Sequence, residues 1–184
     1  MKQIKLFIIG MIIALGLSGC GVGEYKRRNE KEPSIPQKTE SLNYSDEQIV
    51  FIKEYENWAE GYQYSVSYVT ANGNEYSFSY YGDYGSESYE PKDVLSFPRE
   101  EVKRTISQEE MKELIQAFQK VGKLEFTTES FACDYGEDSV YGIKYDEQGN
   151  ASFVYLGSFG DNHYIPDDKN AKKICNYFGL EWKK

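Results

Sequence analysis

One histidine, His163, and three cysteines, Cys20, Cys133 and Cys175, are the only side chains in this 184-residue sequence suited to thiol or imidazole chemistry. A zinc site with two histidines and a His-Glu-x-x-His helix are therefore both absent. No Gly-x-Ser-x-Gly elbow surrounds any serine, so a Ser-His-Asp constellation, or a Cys133 and His163 pair, would have to be assembled by the fold without a local motif. His163 itself reads as a polar loop residue. Glu129, Asp134, Glu137 and Asp138 precede one hairpin, and Asp161, Asp167 and Asp168 follow it, which would offer hard oxygen ligands to calcium at both ends. The Asp-x-[Asp/Asn]-x-[Asp/Asn]-Gly loop that calcium sites use does not occur, and Asp146 to Asn150 is explained as a turn. Solvated acids and helix caps account for these residues, and no metal or cofactor is expected. Nine tyrosines lie between Tyr55 and Tyr89. Such rings could stack on sugars, but a single aromatic stripe is first of all a core face. Tyr81, Tyr84 and Tyr89 fall beyond that stripe in a Gly-rich acidic loop. With Asp134, Asp138, Asp161 and His163, they are the candidates for ligand contact.

Cys20 belongs to a different chemistry. It ends the sequence Leu17-Ser18-Gly19-Cys20, which closes an apolar run starting at Leu6 and preceded by Lys2 and Lys5. The run, Leu6 to Leu17, is 12 residues long, too short to cross a hydrocarbon core of roughly 30 Å as a helix but matched to a signal-peptide apolar region. The motif resembles a bacterial lipobox. That resemblance implies a diacylglycerol on the Cys20 sulfur, cleavage before Cys20, and removal of residues 1 to 19 as a lipoprotein signal peptide. Two acyl chains suffice for stable anchoring where one does not. The implied location is the outer side of the cytoplasmic membrane, with the membrane itself as a partner through lipidated Cys20.

Loss of residues 1 to 19 would take away Lys2 and Lys5 and no acid, moving the formal charge from -9 to -11. An acidic surface of this kind repels nucleic acid phosphates and anionic headgroups, so no nucleic acid partner is expected. Residues 20 to 45 are rich in charge, proline and serine and have little to bury, the composition of a disordered tether. Residues 46 to 184 have the size and apolar content of a single domain. In that oxidising compartment Cys133 and Cys175 could form a disulfide. Equally, Cys175 could be a small core residue on a helix and Cys133 a loop residue, and the sequence leaves both open.

The elements that must position these groups are two hairpins and two helices. Tyr62, Tyr64, Val66 and Tyr68 alternate with serines, as do Tyr76, Phe78 and Tyr80 across an Asn72-Gly73 turn. A two-residue turn would scatter the aromatics over both faces, so the spacing predicts the three-residue loop Ala71-Asn72-Gly73, with Tyr68 opposite Tyr76 and Val66 opposite Phe78. The same parity argument predicts the loop Glu147-Gln148-Gly149, with Ile143 opposite Phe153 and Tyr141 opposite Tyr155. Ser107 and Glu110 form a capping box ahead of Met111, Leu114, Ile115, Phe118 and Val121. A second helix is expected from near Pro166, burying Ala171, Ile174, Cys175 and Phe178. Residues 46 to 59 are open between a helix, for which Ser45 and Gln48 would form a capping box, and a strand at about 48 to 55, favoured by the apolar run Ile49-Val50-Phe51-Ile52. That strand and another within 99 to 106 complete an α+β domain: an antiparallel sheet of five or six strands built from β-hairpins, with two helices mainly on its aromatic face. This order of elements resembles uncharacterised extracytoplasmic lipoproteins of Gram-positive bacteria, a resemblance that carries no catalytic residues. The expected function is a lipid-anchored binding domain for an envelope protein or glycan. The alternative is an enzyme acting on envelope polymers with His163 and nearby acids in its site.

Anchoring through Cys20 has a direct test. Cys20→Ala should leave the protein without acyl mass and move it from the detergent phase to the soluble fraction of the parent cell. Identical partitioning and mass of variant and wild type would remove the lipoprotein reading.

Overall fold

In the computed structural model, residues 43 to 130 and 136 to 182 are described. They form one open antiparallel sheet of eight strands in the order β4-β3-β2-β1-β6-β7-β8-β5. The strands are β1 (Ile49–Asn57), β2 (Tyr62–Thr70), β3 (Asn74–Gly82), β4 (Arg104–Thr105), β5 (Phe126–Ser130), β6 (Glu137–Tyr145), β7 (Ala151–Gly160) and β8 (Asn162–Pro166). The helices are α1 (Gln108–Gln119) and α2 (Lys169–Tyr177), with a 3-10 helix at Pro91–Ser96 between β3 and β4.

Both hairpins have the expected parity. Tyr68 pairs with Tyr76, Val66 with Phe78 and Tyr64 with Tyr80. Gly73 donates its N–H to Thr70 O at 2.9 Å and holds φ at 88°, the left-handed conformation that closes a three-residue loop. In the second hairpin Ile143 pairs with Phe153 and Tyr141 with Tyr155. The capping box of α1 is formed, Glu110 N–H donating to Ser107 Oγ at 3.2 Å. For α2 the cap is Asp168, which accepts from Asn170 N at 2.7 Å and Ala171 N at 2.9 Å, while Pro166 ends β8 and stands outside the helix.

Three expectations are corrected. The sheet has eight strands rather than five or six, because β5 and β8 pair with each other from Phe126 opposite Pro166 to Ser130 opposite Asn162. Neither has alternating apolar residues, and their pairing partners lie far apart in sequence. The strand expected within 99 to 106 shrinks to Arg104–Thr105. The helices also cover the other face from the one predicted. Met111, Leu114 and Phe118 of α1 and Ala171, Ile174 and Cys175 of α2 are buried with Phe51, Val69, Val140 and Leu156. Phe118 lies so close to the sheet that a Cβ on Gly142 would fall 2.4 Å from its ring. The tyrosine face instead buries Ile49, Ile52, Tyr62, Tyr64, Val66, Tyr68 and Ile143 under the segment linking β3 to β4, which contributes Val94, Tyr89 and Phe97.

That segment is pinned by side-chain hydroxyls. Tyr62 Oη accepts from Tyr89 N at 2.8 Å, and Tyr68 Oη donates to the Pro98 carbonyl. Phe78 and Phe97 stack with ring centroids 4.2 Å apart. At the start of the packed unit, Tyr44 Oη donates to Ile143 O at 2.7 Å, so Tyr44, assigned from sequence to the tether, is docked on the domain. Ser45 and Gln48 also bond reciprocally, Ser45 N to Gln48 Oε1 at 2.8 Å and Gln48 N to Ser45 O at 2.9 Å, but the chain runs on as β1 rather than as a helix. The apolar run Ile49 to Ile52 needs partners on both faces, which a central strand supplies.

Phe78 is partly rather than fully buried, so Phe78→Ala should cost about 2 to 3 kcal/mol, below the usual range for a fully enclosed phenylalanine. Ser77→Ala, one residue away on the other face, should cost under about 0.5 kcal/mol. Urea unfolding of the two variants checks the ranking; equal losses would contradict the register.

Candidate functional site

Among the described residues, the most exposed aromatic side chains gather where the β1 to β2 turn meets the far end of β3. Trp58 and Tyr84 are 42% and 70% exposed, and Tyr81 is 64% exposed. These rings are held in place. Tyr81 Oη donates to Glu60 O at 2.8 Å, and Tyr84 Oη donates to Ala59 O at 2.6 Å. Trp58 lies against Tyr62 with centroids 4.3 Å apart, and Tyr62 neighbours Tyr80 at 6.1 Å. A ring anchored at its hydroxyl but open along its faces loses little further freedom on contact with a ligand, which favours recognition. Tyr89 has a different role: it packs on Tyr64 at 5.0 Å and on Tyr80 and Phe97 at 5.4 Å, as part of the cover over the aromatic face.

Behind this cluster the aromatic face carries acids that sequence reading overlooked. Glu54 and Glu56 share the parity of Ile52 on β1, and so point to the face where apolar side chains are expected. Across the next pairing Glu54 is opposite Ser139, and Glu56 is opposite Glu137. Tyr64 Oη lies 3.5 Å from Glu54 Oε2. Burial pushes the Glu54 carboxyl up to about 7, helped by the negative charges of Glu56 and Glu137 and opposed by hydrogen bonds from Tyr141 and Tyr64. Like charges directly opposite on paired strands disfavour each other's ionised form. The signal was present in the sequence as two glutamates at even spacing after an apolar run. Among the described residues no group of three acids, histidines or cysteines is arranged to hold a metal ion.

On the helix-bearing face, beyond the reach of α1 and α2, lies a hollow of about 170 Å³ lined by Lys53, Tyr55, Asp138 and the serines of β2 and β3. Lys53 Nζ and Asp138 Oδ1 are 3.3 Å apart within it. Asp138 thus neighbours a base and a row of hydroxyls. Next to it in register stands Phe159, whose ring stacks on His163 at 4.0 Å. His163 is correspondingly buried, only 8% exposed, and sits on β8 opposite Glu129, so it is a strand residue and not the loop residue expected. Phe159 occupies the register position between Asp138 and His163. Asp161 lies in the turn between β7 and β8, its N–H donating to Gly136 O at 3.1 Å. Asp134 and Cys133 lie outside the described residues. Cys175 is a free thiol, fully buried, and burial pushes it up to about 12, so it is protonated and unreactive at neutral pH. The candidate pairing of Cys133 with Cys175 lies outside the described residues. Comparison with protein-family models, with curated proteins and with solved structures finds no match to this chain.

The Glu54 carboxyl makes stability depend on pH in a defined direction. Its folded pKa of about 7 exceeds the ordinary 4.5, so the native state holds the proton more tightly than the unfolded chain. The contribution is complete below about pH 4.5 and is lost as pH rises through about 7, a change of about 2 kcal/mol allowing for partial exposure. Glu54→Gln should abolish that share of the decline and leave the variant more stable than wild type at pH 8, as read from urea midpoints at a series of pH values.

Proposed function

We propose that this chain is a lipid-anchored, extracytoplasmic binding domain that carries out no catalytic step and whose partner is an envelope protein or glycan. The observation that carries the reading is the exposed cluster of Trp58, Tyr81 and Tyr84, in which both tyrosine hydroxyls are satisfied by the β1 to β2 turn while the rings remain open. Exposed aromatic rings of fixed orientation favour contact with a partner surface or a sugar face over a purely structural role. The lipobox-like residues ending at Cys20 supply the anchor and the compartment. The acidic balance of the chain makes nucleic acid an unfavourable partner.

A second reading, an enzyme acting on envelope polymers, draws support from one feature. A glutamate poised near pH 7 with a second carboxylate beside it is the arrangement general acid and base catalysis uses. In that reading Glu54 and Glu56 carry the chemistry rather than His163, whose ring is stacked on Phe159.

Recovery of the acylated protein from its native membrane with bound material distinguishes the two. Under the binding reading, wild type retains a partner that Trp58→Ala with Tyr81→Ala and Tyr84→Ala loses by about ten-fold or more, and Glu54→Gln retains it. Turnover of an envelope polymer that Glu54→Gln abolishes would favour the enzyme and defeat the binding reading.

A further inference from the structure

Strand β3 is almost an edge of the sheet. Among the described residues only Asn74 and Glu75 have a partner on its outer side, opposite Thr105 and Arg104 of β4. Glu75 O accepts from Lys103 N, and Gly73 O accepts from Ile106 N, each at 2.8 Å, so the odd-numbered residues turn their main-chain groups outward. By the two-residue period of a strand, Ser77, Ser79 and Tyr81 do the same, and among the described residues no strand pairs with them. Natural proteins block such edges with lysine, proline, bulges or covering segments. Residues 76 to 82 contain no charge and no proline, and Ser77, Ser79, Tyr80 and Tyr81 are exposed.

The surroundings specify what could pair there. Ser77 and Ser79 line the hydroxyl-rich hollow on one side, while Phe78 and Tyr80 point to the aromatic side with Phe97 and Tyr89. An added strand would lay alternate residues over a polar floor and an apolar one. The bases in the segment after β3 are all ion-paired: Lys92 with Glu90, Arg99 with Glu47, Lys103 with Glu101 and Arg104 with Glu75. Among the described residues Asp83, Glu87 and Glu100 of the same segment are in no such pair, so the segment that leaves the end of β3 carries an excess of negative charge. A second copy of this chain would bring the same excess charge against itself.

Resting on the binding reading above, we propose that the outer edge of β3 from Ser77 to Tyr81 is a docking site for an extended, positively charged peptide segment of another protein, which adds to the sheet as a further strand. Main-chain hydrogen bonds supply the attachment, and the alternating polar and apolar floors supply selectivity.

The test uses the full chain and synthetic probes of about nine residues alternating valine with lysine. The lysine probe should bind about ten-fold or more tightly than its glutamate counterpart and should slow hydrogen exchange across residues 77 to 81. Ser79→Pro removes an outward donor without touching the bonds to β2, and should weaken the lysine probe by about ten-fold while Ser79→Ala does not. Because Ser79→Pro could perturb folding, a probe N-methylated at alternate residues tests the same bonds with the protein unaltered, and should also lose about ten-fold. Equal binding of the lysine, glutamate and N-methylated probes would overturn the proposal. So would a dimer of this chain that Ser79→Pro disperses. A membrane partner that survives Ser79→Pro but is lost with the Trp58, Tyr81 and Tyr84 variants would overturn this edge site and leave the binding reading standing.

Discussion

The parity of two hairpins governs this structure. In each, a three-residue loop closed by a left-handed glycine, Gly73 or Gly149, pairs odd positions with odd and even with even, in the second hairpin as far as Tyr141 with Tyr155, where a bulge shifts the register. Aromatic side chains therefore collect on one face and aliphatic or small ones on the other. A shift of one residue in either loop would move Tyr64, Val66 and Tyr68, or Tyr141 and Ile143, to the opposite side, at about 1.5 to 3 kcal/mol for each side chain removed from burial. Two faces of different character follow, and each needs its own cover. The helices supply one, and the segment containing Val94 and Phe97 supplies the other.

Legibility in the sequence tracked how local each determinant was. The hairpin registers and the Ser107 capping box depend on neighbours within about a dozen residues, and they could be read directly. The pairing of β5 with β8 joins Phe126 to Pro166, and neither segment alternates, so no local signal announced it. The side taken by the helices was misjudged for a related reason. An aromatic stripe indicates burial but not what buries it, and the segment after β3 looked too rich in glycine and acid to serve. Its three apolar anchors, Tyr89, Val94 and Phe97, are too widely spaced to read as one element.

The same distinction applies to the site. Tyr81 and Tyr84 were visible as aromatics beyond the stripe, and both are exposed. Tyr89, grouped with them by proximity in sequence, is drawn into the cover by contacts with Tyr64, Tyr80 and Phe97. His163 was expected in a loop because its surroundings are polar, and only the long-range strand pairing reveals its burial. Glu54 and Glu56 were overlooked because glutamates near the end of a strand normally face water. Their parity with Ile52 places them on the aromatic side, where the Glu54 proton is held more tightly.

The unequal covers bear on how the chain could aggregate. Helices α1 and α2 bury a broad apolar surface, whereas the aromatic face is closed by a single connecting segment held at a few points, including Tyr62 with Tyr89 and Tyr68 with Pro98. Elements attached in this way belong to the lower end of local opening free energies. Were that segment to lift, Tyr76 to Tyr81 would present six residues of strand-favouring, uncharged sequence without proline, next to an edge already open. That combination is the signature of a segment able to seed ordered stacking between chains. The linker between β3 and β4 thus keeps the aromatic side of an adhesive strand covered, although the edge of that strand stays open.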